Sequence, residues 1–494
     1  MKLSASQQEA LRKFHAFIDN SETKVFILKG YAGTGKTTLV KEFIKVLEYR
    51  QMKYKLLAST GRAAKILSNA VMGLAPKNNL SFEGNLNMNL GGDYARTIHS
   101  QIYLFAGLNQ DIEKMAQIRS QERIDSTGQL FLNFEMPPEN KRERSIFLID
   151  ESSMVSDILD LNIQQAKYGS GRLLCDLLEY NKLGKFVFIG DACQLPPVNQ
   201  AKSPALDADY LRNTYNLNVV ECELTEIHRQ EKGNDIKYAA EKLRNLYINP
   251  QTKKWATFPL RGYRNIHILE TQAELINIYI DRVKKKGFRD SSLITLSNRG
   301  ANYLTNLIRP TFGHKESTIE VGDLLLVTQN NLISGLLNGD LVVVKSLGIR
   351  IKRSNFNFIE VQVEELFTKK VHNQMLIEDV LYANETNLTS EQFKSLLIDF
   401  HYRMKDKGIS HKQGLYFDNM RKDPYLNALR AIYGYALTCH KGQGGEWNNV
   451  FLDFPPYFSK AQKPYVYQWL YTAVTRAKKE LYLVDGFWID GYDR

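Results

Sequence analysis

Residues 30–37 read Gly-Tyr-Ala-Gly-Thr-Gly-Lys-Thr, directly behind the apolar run Val25, Phe26, Ile27 and Leu28. Four apolar residues closed by a turn predict a buried strand, and Leu39, Val40, Phe43, Ile44 and Leu47 at helical spacing predict a helix behind the loop. Strand, Gly-x-x-x-x-Gly-Lys-Thr loop and helix, in that order, make a phosphate cradle. Gly30, Gly33 and Gly35 let backbone N–H groups close on phosphate oxygens, and the opening turn of the helix adds its own unpaired amides. The nucleotide is therefore expected against Gly30, Tyr31, Ala32, Gly33, Thr34, Gly35, Lys36, Thr37 and Thr38. Lys36 is expected to reach the β and γ phosphates, and Thr37 to offer its hydroxyl to Mg²⁺.

The metal side of such a site needs a carboxylate at the end of a neighbouring strand. Ile146, Phe147, Leu148 and Ile149 run straight into Asp150 and Glu151. Asp150 is the candidate metal ligand, and Glu151 the candidate base that orients or deprotonates the attacking water. A third apolar run, 185–189, ends in Gly-Asp-Ala-Cys-Gln at 190–194, which places Gln194 to sense the γ phosphate. Several buried strands that each end in polar residues predict a parallel α/β sheet with its ligand crevice at the strand C-termini. These residues specify Mg²⁺-dependent hydrolysis or transfer of a nucleotide phosphate.

The 494 residues exceed one ordinary core and predict two large α/β domains with smaller insertions. Hydrophobic residues make up 43%, with no run long enough to cross a bilayer, and the first residues lack the apolar core of a signal peptide. An intracellular protein without a membrane partner is expected. Cys175, Cys193, Cys222 and Cys439 lie far apart without metal-binding spacing and read as reduced thiols. A formal charge of +11 suits a polyanionic partner.

Further motifs follow in a fixed order. Leu-Ser-Ala-Ser-Gln at 3–7, Ala-Ser-Thr-Gly-Arg-Ala-Ala at 58–64, Ala-Arg-Thr-Ile-His at 95–99, Asp-Glu-Ser-Ser-Met at 150–154 and Gly-Asp-Ala-Cys-Gln-Leu-Pro-Pro-Val at 190–198 lie in the first half. Leu-Thr-Glu-Ile-His-Arg-Gln at 224–230, YALTCHKGQGGEW at 435–447 and YTAVTRAK at 471–478 lie beyond it. From Leu3 to Arg476 the chain resembles the superfamily 1 helicases, in particular the 5′-to-3′ group (superfamily 1B) of RecD-like and phage Dda-like enzymes. One departure is Ser59, where relatives usually carry Pro.

The resemblance implies two RecA-like domains with ATP and Mg²⁺ between them and single-stranded DNA across the top. Gln7 would read the adenine edge, Arg229 and Arg476 would stabilise charge on the γ phosphate, and Gln443 with Glu446 would link the nucleotide to the second domain. Thr60, Arg62, Thr97, His99, Thr438 and His440 would contact DNA. The implied division is 1–100 with 146–228 for the first motor domain, and 229–340 with 429–494 for the second. A hairpin-bearing insertion at 101–145 would carry a wedge, Phe131 or Phe134, and an SH3-like barrel with a helical extension would occupy 341–428. The segment 71–94 reads as a surface loop or short hairpin, and the basic helical stretch 389–427 either lies on DNA or braces the first insertion.

The function implied is an ATP-dependent helicase, active as a monomer, that moves 5′ to 3′ on single-stranded DNA and opens single-strand/duplex junctions. Two alternatives share the phosphate loop: a DNA-stimulated translocase that remodels protein–DNA complexes, and a small-molecule kinase. The kinase needs an acceptor pocket and has no use for the late arginines.

Overall fold

A computed structural model describes residues 3–72, 94–120, 129–142, 144–161, 165–226, 234–315, 318–383, 385–461 and 463–490. Arg229 and nearly all of the 71–94 segment lie outside the described residues.

The first half is built on a six-stranded, all-parallel sheet in the order Ala95–Thr97, Tyr54–Ala58, Ile146–Asp150, Lys185–Gly190, Val25–Gly30, Val219–Leu224. Its central strands are apolar on both faces because helices cover both: Val25, Phe26, Ile27 and Leu28 have no exposed surface. Helix Lys36–Tyr49 buries Leu39, Val40, Phe43, Ile44 and Leu47, the stripe its sequence spacing predicts. It packs beside helix Ala5–Asp19, where Phe14 stacks on Phe43 at 3.9 Å between centroids and both meet Phe26 edge-on. Such aromatic pairs add about 0.5–1.5 kcal/mol each beyond their buried area.

The second half carries a five-stranded parallel sheet in the order Ile266–Leu269, Ala477–Val484, Trp447–Asp453, Ser291–Thr295, Leu437–Thr438. The two parallel sheets, each flanked by helices, are the two RecA-like motor domains expected from the motifs.

A five-stranded antiparallel sheet is inserted in the second half: Val371–Ile377, Phe356–Glu365, Leu341–Arg353, Leu324–Val327, Ala431–Tyr433. It draws strands from both sides of the 341–428 span. The apolar stretch at 433–436 is divided between two sheets: Tyr433 pairs with Leu325, and the chain then crosses to the parallel sheet, where Leu437 pairs with Ile294. Gly434 makes the crossing, since a Cβ there would lie 2.9 Å from Leu341 and 3.2 Å from the backbone of Leu325 and Leu326.

The insertion in the first half forms a small sheet. Leu132–Glu135 runs antiparallel to Leu104–Leu108 and parallel to Ala166–Tyr168. The segments beside this sheet pack against the second insertion. Ile112, Met115 and Leu130 share a core with Phe393, Leu396, Phe400, Met404 and Tyr416 of helices Ser390–Asp406 and Gly414–Lys422. The Tyr402 hydroxyl donates to the Ala116 carbonyl at 3.0 Å, and Lys405 lies 3.6 Å from Glu113. The 389–427 segment thus braces the first insertion. No helix among the described residues is long and apolar enough to cross a membrane.

Candidate nucleotide cleft and nucleic-acid channel

A cleft of about 670 Å³ opens between the two motor domains at the C-terminal ends of the first sheet's strands. From the first domain, Gln7, Tyr31, Ala32, Gly33, Gly35, Lys36, Thr37, Thr38, Asp150, Glu151 and Gln194 line it; Glu446 and Arg476 line it from the second. Gly30 and Thr34 lie beneath this surface, and Thr34 is fully buried. Gly35 caps the helix in the left-handed region at φ 81°, and a Cβ on it would sit 2.5 Å from Gln7 Nε2. Gln7 is fixed from both ends: its Oε1 accepts from the Ser4 amide at 3.1 Å and its Nε2 donates to the Thr34 carbonyl at 3.2 Å. Lys36 Nζ folds back onto the Gly30 and Tyr31 carbonyls at 2.6 and 3.1 Å.

Asp150 and Glu151 face this cationic loop as two adjacent, half-buried carboxyls. Burial pushes both upward from their ordinary range; Asp150 further raises Glu151, and Lys36 pulls each of them back. Glu151 also holds a left-handed backbone, φ 50°, which a residue with a Cβ adopts at a cost. Two desolvated carboxyls beside the Thr37 hydroxyl fit a hard divalent cation, whose charge relieves their burial. Gln194 is buried, with Nε2 3.4 Å from Asp191 and Oε1 without a partner among the described residues. Arg476 is 4% exposed and donates to the carbonyls of Thr472 at 3.0 Å and Gly445 at 3.3 Å. Gln443 does not line the cleft; its Nε2 reaches the Leu195 carbonyl at 3.4 Å.

A second, smaller pocket of about 290 Å³ lies beside the cleft and gathers Ser59, Thr60, Gly61, Thr97, His99, Phe134 and Tyr168, faced by Asn330 and Asn338. Thr60, Thr97 and His99 come together here as expected for a channel. Thr438 and His440 do not line it. Each of the three threonines caps a helix: Thr60 accepts from Ala63 N at 3.2 Å, Thr97 from Ser100 N at 3.1 Å and Thr438 from Lys441 N at 3.4 Å. The His99 ring meets Tyr168 edge-on at 5.1 Å, and burial pulls it from 6.5 down to about 4, so it is neutral at physiological pH.

Two expectations need correction. Arg62 is not in the channel with Thr60; it lines the nucleotide cleft. Phe134 does not project as a wedge: it is 5% exposed, stacked on Tyr168 at 4.8 Å with an interplanar angle of 17°. Sequence reasoning also passed over Tyr471, whose hydroxyl donates to Asp191 at 2.8 Å and accepts from the Ala32 amide at 3.3 Å. It missed Arg244 too, whose guanidinium lies 4.0 Å over the Tyr31 ring. Tyr471 opens the 471–478 motif and Arg244 lies in none, and the role of each shows only in contacts between domains.

Family models match two separate segments: an AAA domain over residues 13–200 and a UvrD-like helicase C-terminal domain over residues 433–484. The chain is 22% identical to uncharacterized protein R530 of Acanthamoeba polyphaga mimivirus, over 99% of this chain and 100% of that one. It is 23% identical to RecBCD enzyme subunit RecD of Buchnera aphidicola subsp. Schizaphis graminum, over 97% of this chain and 73% of the relative. A solved structure of a Pif1 helicase from Bacteroides in complex with ADP-AlF3 and ssDNA aligns with 99% of this chain and 93% of its own, at 17% identity and a TM-score of 0.42. A UvrD-like helicase C-terminal domain whose Arg476 lines the same cleft as the phosphate loop of the AAA domain makes a two-motor arrangement, and with the ordered motifs this is the arrangement of an ATP-dependent DNA helicase similar to the RecD-like group of superfamily 1B.

Proposed function

We propose that the protein moves 5′ to 3′ on single-stranded DNA and opens duplex at the junction, coupling Mg-ATP hydrolysis to closure of its two motor domains. The observation that carries this reading is the shared helix Gly61–Val71. Its N-cap Thr60 and first residue Gly61 line the channel, while Ala63, Ile66 and Ala70 line the nucleotide cleft. A closure that tightens on nucleotide therefore moves a DNA-facing element with it.

In this reading, Lys36 and Arg476 neutralise the γ phosphate from opposite walls. Thr37 and Asp150 are the residues that would hold Mg²⁺, which would supply charge neutralisation at the phosphates. Glu151 takes the proton of the attacking water, and Gln194 offers its unpartnered amide oxygen to orient it. Arg229 is assigned to the same phosphate by its motif alone. Thr97 and His99 contact the DNA backbone from the channel, and Phe131 meets the last base pair. The direction of movement follows the RecD-like resemblance.

Duplexes with a 5′ tail, a 3′ tail or an RNA tail test the reading together. Strand separation on the 5′ DNA tail alone is expected. Hydrolysis without separation on any substrate would identify a translocase, and opening of the 3′-tailed duplex would reverse the polarity. Single-strand affinity is expected to fall with salt by about 0.7 log units per contacted phosphate for each decade.

A further inference from the structure

We infer that Arg62 is a phosphate ligand of the nucleotide, supplied by the first motor domain opposite Arg476, rather than a contact to DNA. The inference deepens the nucleotide site of the proposed function and rests on it.

Arg62 stands in the first turn of helix Gly61–Val71, one residue past the last position of this segment that lines the channel. Successive residues of a helix diverge by about 100°, so Gly61 and Arg62 cannot both face the DNA. The guanidinium crosses to the second domain and lies 5.3 Å from the Phe367 ring centroid and 5.8 Å from that of Trp447. Its seat is made by Gly445: a Cβ there would fall 2.9 Å from Arg62 Nη2 and 2.4 Å from the Trp447 ring. Arg476 donates to the carbonyl of the same glycine at 3.3 Å. Two guanidinium groups, one from each domain, thus flank one glycine on the wall of the cleft that Lys36 also lines.

Arg62 Nη1 is buried and has no hydrogen-bond partner among the described residues. Burial is the chief influence on this group and pulls its pKa down; Asp340 and Glu446 favour its charge and Arg476 opposes it. Aromatic faces stabilise a cation without satisfying its N–H groups. A desolvated guanidinium with a free donor in a cleft that already holds Lys36 and Arg476 fits an anion with several oxygens. The triphosphate is the anion that this cleft is built to hold. A DNA phosphate would have to leave the channel to reach it.

The test compares Arg62→Ala, Arg62→Lys and Gly445→Ala with the parent protein. The probes are a non-hydrolysable Mg²⁺-ATP analogue, read by displacement of a fluorescent ADP, and a labelled single-stranded oligonucleotide without nucleotide. Arg62→Ala is expected to weaken the triphosphate analogue about tenfold or more while oligonucleotide affinity changes less than about twofold, with an unchanged salt slope. Arg62→Lys should recover part of the loss. Gly445→Ala, which keeps the charge but fills its seat, should lose triphosphate affinity as well. Weaker oligonucleotide binding with a salt slope reduced by about 0.7 would return Arg62 to the DNA. Unchanged triphosphate affinity with a lowered melting temperature would make Arg62 an interdomain clasp only, and would overturn the inference. Lys36→Ala serves as the separate control: if it too leaves triphosphate affinity unchanged, the nucleotide site is misplaced, whereas a loss there with none at Arg62 sinks the Arg62 role alone.

Discussion

The Tyr471 hydroxyl accepts a hydrogen bond from the backbone N–H of Ala32 at 3.3 Å, so a side chain of the second motor domain rests on the phosphate loop of the first. The same hydroxyl donates to Asp191 at 2.8 Å, and Oγ1 of the next residue, Thr472, accepts from the Leu195 amide at 2.9 Å. Gln468 Nε2 adds a bond to the Gln194 carbonyl at 3.4 Å. Helix Tyr465–Val474 therefore grips the 191–195 segment that carries Gln194, and it leads directly to Arg476. A shift in the phosphate loop passes to the arginine through this helix.

Tyr471→Phe should uncouple that grip. The substitution removes the shortest donor to the buried Asp191 carboxyl, which keeps the Cys193 amide and Gln194 Nε2, at a cost of about 1 kcal/mol, and frees the Ala32 amide. DNA-stimulated ATP turnover is expected to fall about tenfold, while affinity for ADP stays within about twofold. Steady-state hydrolysis and nucleotide titration check this; a proportional loss in both would show that the hydroxyl only supports folding.

Glu151→Gln should raise stability while removing turnover. The Glu151 carboxyl is held above its usual 4.5 by burial and by Asp150, so its unfavourable contribution is absent below 4.5 and grows as pH rises through the folded-state value. Without nucleotide, the variant should melt about 2 °C higher than the parent at pH 8, and the gap should close toward pH 5. Hydrolysis should drop at least about 100-fold. Thermal melts across pH and a turnover assay decide it; a variant that melts lower than the parent at pH 8 would contradict the assigned strain.

How far the sequence could be read is clear from particular residues. Leu39, Val40, Phe43, Ile44 and Leu47 are all buried because a stripe that faces one sheet is a local pattern. Lys36, Asp150, Glu151, Gln194 and Arg476 converge on one cleft because strand ends of parallel sheets point the same way. Thr60 and Arg62 show where this stops. They are two residues apart in one motif, and only the placement of Phe367 and Trp447, far later in the chain, decides that one faces the channel and the other the nucleotide. The outer strands of the antiparallel sheet were hidden for a similar reason, since Leu324–Val327 finds partners on Ala431–Tyr433 across a stretch no local pattern spans. Tyr471 was hidden as well: a tyrosine on an apolar helix reads as core until its hydroxyl is seen to cross a domain boundary.

His99 should make the protein acid-sensitive. Its imidazole is depressed from 6.5 to about 4 by burial against Tyr103 and Tyr168. A depressed folded-state value means that its contribution is fully present above 6.5 and lost as pH falls through 4, an effect of at most about 3 kcal/mol. His99→Asn should flatten the decline in stability between those pH values, read by chemical denaturation at fixed ionic strength. A decline of equal depth in the variant would assign it to the carboxylates instead.

Phe131 and Phe134 should separate strand opening from folding. Phe134 lies between Tyr168 and Phe105, at 4.8 and 5.6 Å, within the core beneath the channel. Phe131 is partly exposed, and its strand end is fixed by two bonds to Asn109: its amide donates to Oδ1 at 2.8 Å and its carbonyl accepts from the Asn109 amide at 3.1 Å. An aromatic held this way on a braced sheet can cap a base pair without being displaced by it. Phe131→Ala should therefore abolish unwinding of a 5′-tailed duplex and leave DNA-stimulated hydrolysis within about twofold, with little change in melting. Phe134→Ala should cost about 3–5 kcal/mol of local stability and reduce unwinding and hydrolysis together. Equal unwinding by the Phe131 variant and the parent would remove the wedge from this residue.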